Sequence, residues 1–258
     1  MRKTALITGA SSGIGKELAK IHAEKGVDLI IVARRRDKLE ALKKTLEDKY
    51  IVNIHIIEKD LTTTNAALEI YQEVKRLNLA VEILINNAGF GGLGRFDERD
   101  IATDVSMIQL NVTALTELTY YFLQDFKALN NGKILNVSST ASIMPGPFQA
   151  VYYASKAFVA SFSNALSEEL KHTNITVTNL MPGATASEFG KTSGMNKTDM
   201  FKSPASAENV AQDGYDGMMK GQLDVITGLT FSQKLMIKMI PFLPKKMVLK
   251  TVRKMQDV

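Results

Sequence analysis

The alternation of short apolar runs with longer amphipathic segments constrains the fold of this chain more than any other feature of its sequence. The short runs have the length of β-strands, and the segments between them carry apolar residues at helical spacing. Near-continuous apolar strands are typical of a parallel sheet that is buried on both faces. We therefore predict an α/β fold, a doubly wound parallel sheet with helices on both faces. The predicted strands are Lys3–Thr8, Asp28–Ala33, Val52–Ile57, Val81–Asn86, Lys133–Ser138, Ile175–Leu180 and Asp224–Thr227.

Amphipathic segments fill the intervals between these strands. A helix that reaches about Arg76 follows Thr62-Thr63-Thr64, whose hydroxyls are expected to cap its start. The longest irregular stretch, residues 183–204, is too long for a simple connection and is predicted to be a lid over a site. The other predicted helices are Gly13–Lys25, Arg36–Lys49, a helical region over Asp97–Leu129, Val151–Lys171 and Ala207–Lys220.

Composition and charge limit the remaining possibilities. The 258 residues are 45% hydrophobic and 23% charged, which is enough apolar material for one large core. No linker-like segment divides the chain, so we predict a single domain over residues 1–230 and a tail over residues 231–258. The tail has seven Lys/Arg and one Asp, a net charge of +6, whereas the whole chain has +5. Because the rest of the chain is nearly neutral, no nucleic-acid partner is predicted.

The tail is basic and amphipathic, with Val248, Val252 and Met255 on one side of a predicted helix. Three uses are open: packing on another subunit, covering the lid, or lying on an anionic membrane surface. Packing within a homodimer or homotetramer is the preferred interpretation, and membrane contact is not favoured.

The absence of Cys excludes disulfides, thiolate metal sites and Cys nucleophiles, and it favours a reducing compartment. No apolar run has the length of a signal peptide or a membrane span, so the expected location is the cytoplasm. His22, His55 and His172 lie on separate predicted elements without a matching carboxylate pattern. No metal site is predicted.

A glycine-rich turn joins the first predicted strand to the first predicted helix. Its residues are Thr8-Gly9-Ala10-Ser11-Ser12-Gly13-Ile14-Gly15, with three glycines in a GxxxGxG pattern. Glycine permits a sharp turn and a close approach of the backbone to a pyrophosphate, and the helix start offers unpaired N–H groups to the anion. The turn is therefore predicted to bind a dinucleotide through Gly9, Ser11, Ser12, Gly13, Ile14 and Gly15.

The residues that follow the second strand indicate which dinucleotide is bound. A protein that binds NAD normally places an acid here, against the ribose 2′-OH. This chain has Ala33-Arg34-Arg35-Arg36 instead. Guanidinium groups form charge-assisted hydrogen bonds with a 2′-phosphate. We therefore predict NADP(H), with Arg34 as the preferred contact and Arg35 as the second.

A third group combines Ser138 and Ser139, at the end of the fifth strand, with Tyr152 and Lys156 on the next helix. Residues four apart on a helix share a face, so the ammonium can lie near the phenol. A nearby positive charge lowers the pKa of a tyrosine towards the range in which it transfers protons. A Tyr and a Lys at this spacing are common, so the pair is informative only together with the other motifs.

Together these motifs resemble the short-chain dehydrogenase/reductase superfamily over residues 3–228. The resemblance implies a Rossmann-type sheet, a nicotinamide cofactor and the interconversion of a carbonyl and an alcohol. It rests on the glycine-rich turn and on Asp60-Leu61, Asn86-Asn87-Ala88-Gly89, Asn111, Ser139, Tyr152, Lys156 and Pro182-Gly183.

The resemblance also implies a role for each matching residue. Tyr152 is the acid/base, and Ser139 holds and polarises the substrate carbonyl, with Ser138 as the alternative in register. Lys156 also holds the nicotinamide ribose, and Asn111 positions a water that supplies protons to Lys156. Ser187 stands where the family commonly has Thr, and its hydroxyl is expected to contact the cofactor. Further cofactor contacts are expected from Asp60, Leu61, Asn87, Ala88, Gly89, Tyr152, Pro182 and Gly183.

The sequence therefore predicts an NADP(H)-dependent carbonyl reductase or alcohol dehydrogenase with a small-molecule substrate. The alternative is a protein that senses NADP(H) and acts through its basic tail. The complete Ser, Asn, Tyr and Lys set favours the enzyme, because a sensor needs no acid/base.

Overall fold

The strands form one parallel sheet. The computed structural model describes residues 3–198 and 201–256, apart from the side chain of Lys197. Its strands are β1 (Thr4–Thr8), β2 (Asp28–Ala33), β3 (Ile54–Glu58), β4 (Val81–Asn86), β5 (Gly132–Val137), β6 (Ile175–Pro182) and β7 (Asp224–Thr227). The seven strands of this described part lie in the order β3-β2-β1-β4-β5-β6-β7.

Helices connect the strands and continue into the tail. They are α1 (Gly13–Glu24), α2 (Arg36–Lys49), α3 (Ala66–Arg76), α4 (Ile101–Ile108), α5 (Leu115–Leu129), α6 (Ala150–Glu169), α7 (Glu188–Thr192), α8 (Ala207–Met219), α9 (Phe231–Met239) and α10 (Lys245–Gln256). A π-helical stretch, Gln109–Ala114, joins α4 to α5.

Successive side chains of each strand point to opposite faces of the sheet, and both faces are covered. Leu29 and Ile31 of β2 pack in one buried cluster with residues of α1, α2 and α8. Ile30 and Val32 of the same strand pack in a second cluster with residues of α3, α5 and α6. The predicted doubly wound parallel sheet with helices on both faces is therefore confirmed.

The order of the strands determines where a ligand site can form. The chain begins in the middle of the sheet with β1, builds outward to β3, and then resumes with β4 on the other side of β1. Open α/β sheets bind ligands at such a reversal, beyond the carboxyl ends of the strands. The segments after β1, β2, β4, β5 and β6 all reach this edge.

The structure corrects the predicted start of α3. The helix begins at Ala66, after Asn65 in the left-handed conformation (φ 62°), and no side chain caps it. Thr62 Oγ1 donates to Asp60 Oδ1 at 2.8 Å, and Thr63 Oγ1 donates to the Asp60 carbonyl at 2.8 Å. These hydroxyls shape the turn after β3 instead of capping the helix.

The stretch expected to be a lid contains α7 and a 3-10 turn at Met195–Lys197. The Thr185–Ala205 bridge holds its two ends together. Asp199 and Met200 belong to the same stretch and lie outside the described residues.

One side of the tail packs on its own chain. Ile237, Ile240, Val248 and Val252 share a buried cluster with Tyr152 and Tyr153 of α6. Gln256 Nε2 donates to the Tyr153 hydroxyl at 2.5 Å. Met255 shares the side of α10 that carries Val248 and Val252, as predicted, but it is 36% exposed, whereas Gln256 is buried. Among the described residues, no helix is both long and apolar enough to cross a membrane.

Candidate active site

A cleft of about 500 Å³ lies at the carboxyl edge of the sheet. It collects nearly all of the residues that the sequence singled out for cofactor binding and catalysis. The predicted site residues that line it are Gly9, Ser11, Ser12, Gly13, Ile14, Arg34, Arg35, Asp60, Leu61, Asn87, Ala88, Gly89, Ser139, Tyr152, Lys156, Pro182, Gly183 and Ser187. Gly15 and Asn111 lie behind this lining.

Gly9 and Gly15 allow β1 and α1 to pack closely against the end of β4. A Cβ on Gly15 would lie 2.4 Å from Asn87 Nδ2, and one on Gly9, whose φ is +66°, would lie 2.7 Å from the same atom. Asn87 Nδ2 donates to the Thr8 carbonyl at 2.8 Å. Any larger residue at either position would break this junction, so these two glycines shape the floor of the cleft.

The start of α1 offers hydrogen-bond donors to an anion. Ser12 precedes the helix but makes no capping hydrogen bond with its side chain, and the first turn contains no acid. Because Ser12, Gly13 and Ile14 line the cleft, the N–H groups of this turn and the positive end of the helix dipole are available to an anion there.

Two arginines stand at one end of the cleft. Arg34 is largely exposed, and its Nη1 lies 3.9 Å from Asp60 Oδ2. Arg35 Nη2 donates to Ser11 Oγ at 3.0 Å and to Glu188 Oε2 at 2.7 Å. The Arg35 guanidinium holds the pKa of the Glu188 carboxyl below its usual value. This ion pair joins the stretch predicted to be a lid to the end of β2.

Tyr152, Ser139 and Lys156 line the other end. Ser139 Oγ donates to the Pro182 carbonyl at 3.4 Å. Lys156 Nζ donates to the Val137 carbonyl at 2.9 Å. Ser138 Oγ donates to Asn179 Oδ1 at 2.5 Å, so its hydroxyl is bound within the sheet. Of the two adjacent serines, Ser139 is the one whose hydroxyl acts on the pKa of the phenol.

Burial shifts the pKa of both titratable groups towards their neutral forms. It raises the pKa of Tyr152 to about 12, with the Ser139 hydroxyl offsetting part of the rise, so the predicted lowering of this pKa by Lys156 is wrong. Burial also lowers the pKa of Lys156 to about 8. At neutral pH the site therefore contains an intact phenol and an ammonium that is still mostly protonated.

Asn111 lies within the π-helical stretch, a local widening of the helix that is frequent at functional sites. Its Nδ2 donates to the Phe90 carbonyl at 2.9 Å and to Ser155 Oγ at 3.0 Å, and its Oδ1 accepts from the Phe90 N–H at 3.1 Å. A Cβ on Gly89 would lie 3.0 Å from Asn111 Oδ1 and 3.2 Å from Lys156 Nζ. Asn111 thus fixes the loop after β4 close to the lysine.

Sequence reasoning missed four residues that shape the site. Thr8 Oγ1 accepts from the N–H groups of Asn87 and Ala88, both at 3.0 Å. Ser155 binds Asn111, Glu188 binds Arg35, and the ring of Phe189 lies 5.5 Å from that of Tyr152. Thr8 and Ser155 lie inside motifs already identified, so their positions in the sequence could have indicated that they contribute to the site. Glu188 and Phe189 carry no such signal, because their partners are far away in sequence.

Comparison with known proteins agrees with this geometry. The family model described as short chain dehydrogenase matches residues 3–198. The chain belongs to the short-chain dehydrogenase family. The resemblance seen in the motifs is thereby confirmed.

Curated short-chain dehydrogenases resemble most of the chain. The human 17-beta-hydroxysteroid dehydrogenase type 3 is 33% identical over 74% of this chain, and the match spans 62% of that protein. The NADP-dependent 3-hydroxy acid dehydrogenase of Schizosaccharomyces pombe is 35% identical over 72% of this chain and 73% of its own length. These relatives are dehydrogenases, which supports oxidoreductase chemistry for this family member.

A solved structure of a short-chain dehydrogenase is also similar to this chain. The short-chain dehydrogenase from Sphingobium yanoikuyae in complex with NADPH has a TM-score of 0.82 and 32% identity, covering 90% of this chain and 91% of that one. The likeness therefore extends past the residues matched by the family model and includes most of the fold.

Proposed function

We propose that this short-chain dehydrogenase is an NADP(H)-dependent reductase of small carbonyl compounds in which Tyr152 is the acid/base. The observation that carries the proposal is one cleft with two chemically different ends. Arginines stand at one end, and a phenol, a serine hydroxyl and a lysine ammonium stand at the other.

The residues of the cleft fit a dinucleotide phosphate. The uncapped start of α1 supplies N–H donors for a pyrophosphate, and Arg34 and Arg35 supply cations for a 2′-phosphate. Lys156 and Ser187 place polar groups along the rest of the cleft. A bound nicotinamide dinucleotide supplies the hydride for reduction and takes it back in oxidation.

The residues at the catalytic end handle the proton. Ser139 donates a hydrogen bond to the substrate carbonyl oxygen and holds it beside the Tyr152 hydroxyl. The phenol, whose pKa of about 12 keeps it protonated, then gives its proton to the developing alkoxide. The positive charge of Lys156 stabilises the phenolate that remains, because opposite charges attract strongly in a buried site. Asn111 acts as a positioning residue through the loop after β4.

The choice of NADP(H) has two kinds of support. Within this chain, the end of β2 carries arginines and no acid. Among its relatives, the Schizosaccharomyces pombe protein is described as NADP-dependent, and the Sphingobium yanoikuyae structure is a complex with NADPH.

The substrate class follows from the walls of the cleft. Phe90, Phe189, Met195 and Phe201 line it beside the polar catalytic residues. An apolar wall with a few polar groups selects a partly apolar ligand that carries one reactive carbonyl. The relatives named for a hydroxysteroid and a 3-hydroxy acid suggest two substrate types for a first screen.

The proposal is tested by a screen for carbonyl-dependent oxidation of NADPH. The panel contains aryl ketones, steroid ketones and 3-oxo acid esters, each assayed with NADPH and with NADH. We expect turnover with at least one class and a preference for NADPH. Tight binding of NADPH without turnover across the panel would favour the alternative, a sensor of NADP(H).

Replacing Glu188 with Gln is expected to strengthen NADPH binding about two- to fivefold while changing NADH binding less. The Glu188 carboxylate accepts a hydrogen bond from Arg35 and so competes with a 2′-phosphate for this guanidinium. The negative charge of the carboxylate also repels that phosphate. Both side chains of the Arg35–Glu188 ion pair are about half exposed. The expected change in NADPH affinity is therefore limited to the contribution of a surface ion pair.

Fluorescence titration of both dinucleotides measures this effect. Glu169→Gln, an exposed carboxylate on α6 outside the cleft, is the matched control and should change neither affinity. If the affinities for NADPH and NADH change by the same factor in Glu188→Gln, the residue acts on the lid and not on the 2′-phosphate.

A further inference from the structure

The tail has a second face that the fold does not use, and we propose that this outer face binds an anionic lipid surface. We define the outer face as Phe231, Leu235 and Met239 of α9 together with Lys246, Lys250 and Lys254 of α10. The proposal goes beyond the reaction proposed above and does not depend on it.

α9 carries apolar residues on two opposite sides. Ile237 is buried against the body of the protein, as is Ile240 directly after the helix. Phe231, Leu235 and Met239 follow each other at four-residue spacing, so they form a row on another side of the helix. They are 85%, 56% and 49% exposed, respectively. A soluble helix that needed only to pack on the body would not require this second apolar row.

α10 presents its charge away from the body. Val248, Val252 and Gln256, at four-residue spacing, form its buried side. Lys246, Lys250 and Lys254 have the same spacing but are offset by two residues, which places them on the opposite side of the helix. The inner packing therefore holds α10 with a row of three lysines directed outward.

The charge of the tail indicates which kind of partner binds to the outer face. Residues 231–258 have a net charge of +6 with Asp257 as their only acid, while the remaining residues sum to about −1. A second copy of the tail would bring the same +6 against it, and the body of another copy offers no compensating negative excess. Exposed apolar side chains on α9 and exposed lysines on α10, both on the side away from the body, fit a surface that is both apolar and anionic, as a bilayer with acidic headgroups is.

Flotation of the full-length protein with lipid vesicles tests the proposal. We expect binding to vesicles of phosphatidylcholine and phosphatidylglycerol in a 7:3 ratio, much weaker binding to pure phosphatidylcholine, and weakening at high salt. Each lysine that lies close to the lipid surface strengthens binding to the vesicles about fivefold. The triple variant Lys246→Gln, Lys250→Gln, Lys254→Gln should therefore bind the mixed vesicles about 100-fold more weakly. The control removes three exposed lysines from the body: Lys25→Gln, Lys127→Gln and Lys220→Gln.

A fluorescent reporter tests the apolar row separately. The chain contains no Trp, so Phe231→Trp introduces a single tryptophan. Its emission should shift to the blue on adding the mixed vesicles and be quenched by brominated lipids. Tyr120→Trp, at a 62% exposed position of α5, should show neither change.

Several results would overturn the proposal. One is equal binding to the two vesicle types, and another is an equal loss of vesicle binding in the control lysine variant. A third is tryptophan fluorescence in Phe231→Trp that brominated lipids do not quench. Phe231→Ser with Leu235→Ser and Met239→Ser should abolish vesicle binding and leave the sedimentation coefficient unchanged without lipid. A fall in sedimentation coefficient with vesicle binding intact would make this face a subunit interface instead.

Discussion

Replacing Tyr152 with Phe is expected to leave NADPH binding close to that of the wild type and to lower turnover about 10²- to 10⁴-fold. The substitution removes only the hydroxyl, which is the proton donor to the substrate. The ring keeps its packing against Phe189, whose centroid lies 5.5 Å away, so the cleft keeps its shape. Titration with NADPH and steady-state kinetics with the best substrate of the screen measure the two effects.

Tyr153→Phe is the matched control, because it removes a hydroxyl from the neighbouring residue of the same helix. The Tyr153 hydroxyl accepts a hydrogen bond from Gln256 of the tail, so its loss should affect stability more than turnover. Near-normal turnover in Tyr152→Phe would contradict the assignment of this residue as the acid/base. A loss of NADPH binding in the same variant would show that the phenol holds the cofactor and that turnover falls for that reason.

The elements whose pattern is local were predicted well. Asp28–Ala33, Val81–Asn86 and Asp224–Thr227 are strands with the predicted bounds, and Arg36–Lys49 is a helix with the predicted bounds. In each case a buried apolar run or a helical spacing of leucines is interrupted sharply by charged or turn-forming residues. The fold class then follows, because such strands require cover on both faces.

Other elements depend on side-chain partners that the residue pattern does not indicate, and the sequence did not predict them. The threonines before α3 bind Asp60, so their capping role was wrong. The π-helical stretch around Asn111 has no local signature, since its side-chain partners are Phe90 and Ser155 in other segments. Gln256 is buried because its amide binds the Tyr153 hydroxyl inside the fold, a contact that the sequence pattern of the tail does not indicate.

The residue types of the candidate site could be identified from the sequence, but their mutual contacts could not. Motifs at the ends of successive strands meet at one edge of any parallel sheet, which is why so many predicted residues line a single cleft. The pairing of Arg35 with Glu188 joins residues 153 positions apart, and no spacing rule connects them. The segment after β6 therefore contributes an acid, Glu188, to the arginine end of the cleft, and only the folded chain reveals this. The roles of the individual site residues and a homodimeric or homotetrameric assembly stay predictions.

Replacing Arg34 or Arg35 with Ala is expected to weaken NADPH binding by about 1.5–3 kcal/mol for each residue while sparing NADH. Each guanidinium can form a charge-assisted hydrogen bond with the 2′-phosphate, and NADH lacks that phosphate. Arg35 is held at the rim by Ser11, 3.0 Å away, whereas Arg34 is 73% exposed and must become ordered when it binds. We therefore expect the larger loss for Arg35→Ala, the reverse of the order predicted from the sequence, measured by titration of both dinucleotides at one ionic strength.

Arg36→Ala is the matched control because the three arginines are consecutive. The Arg36 guanidinium lies 3.2 Å from Glu40 along α2, and the residue is not part of the cleft lining. It should change neither affinity. Equal losses of NADPH and NADH in Arg34→Ala and Arg35→Ala would show that these residues do not recognise the 2′-phosphate. Combining Arg35→Ala with Glu188→Gln adds a further check, since the gain from removing the carboxylate should shrink once its partner is absent.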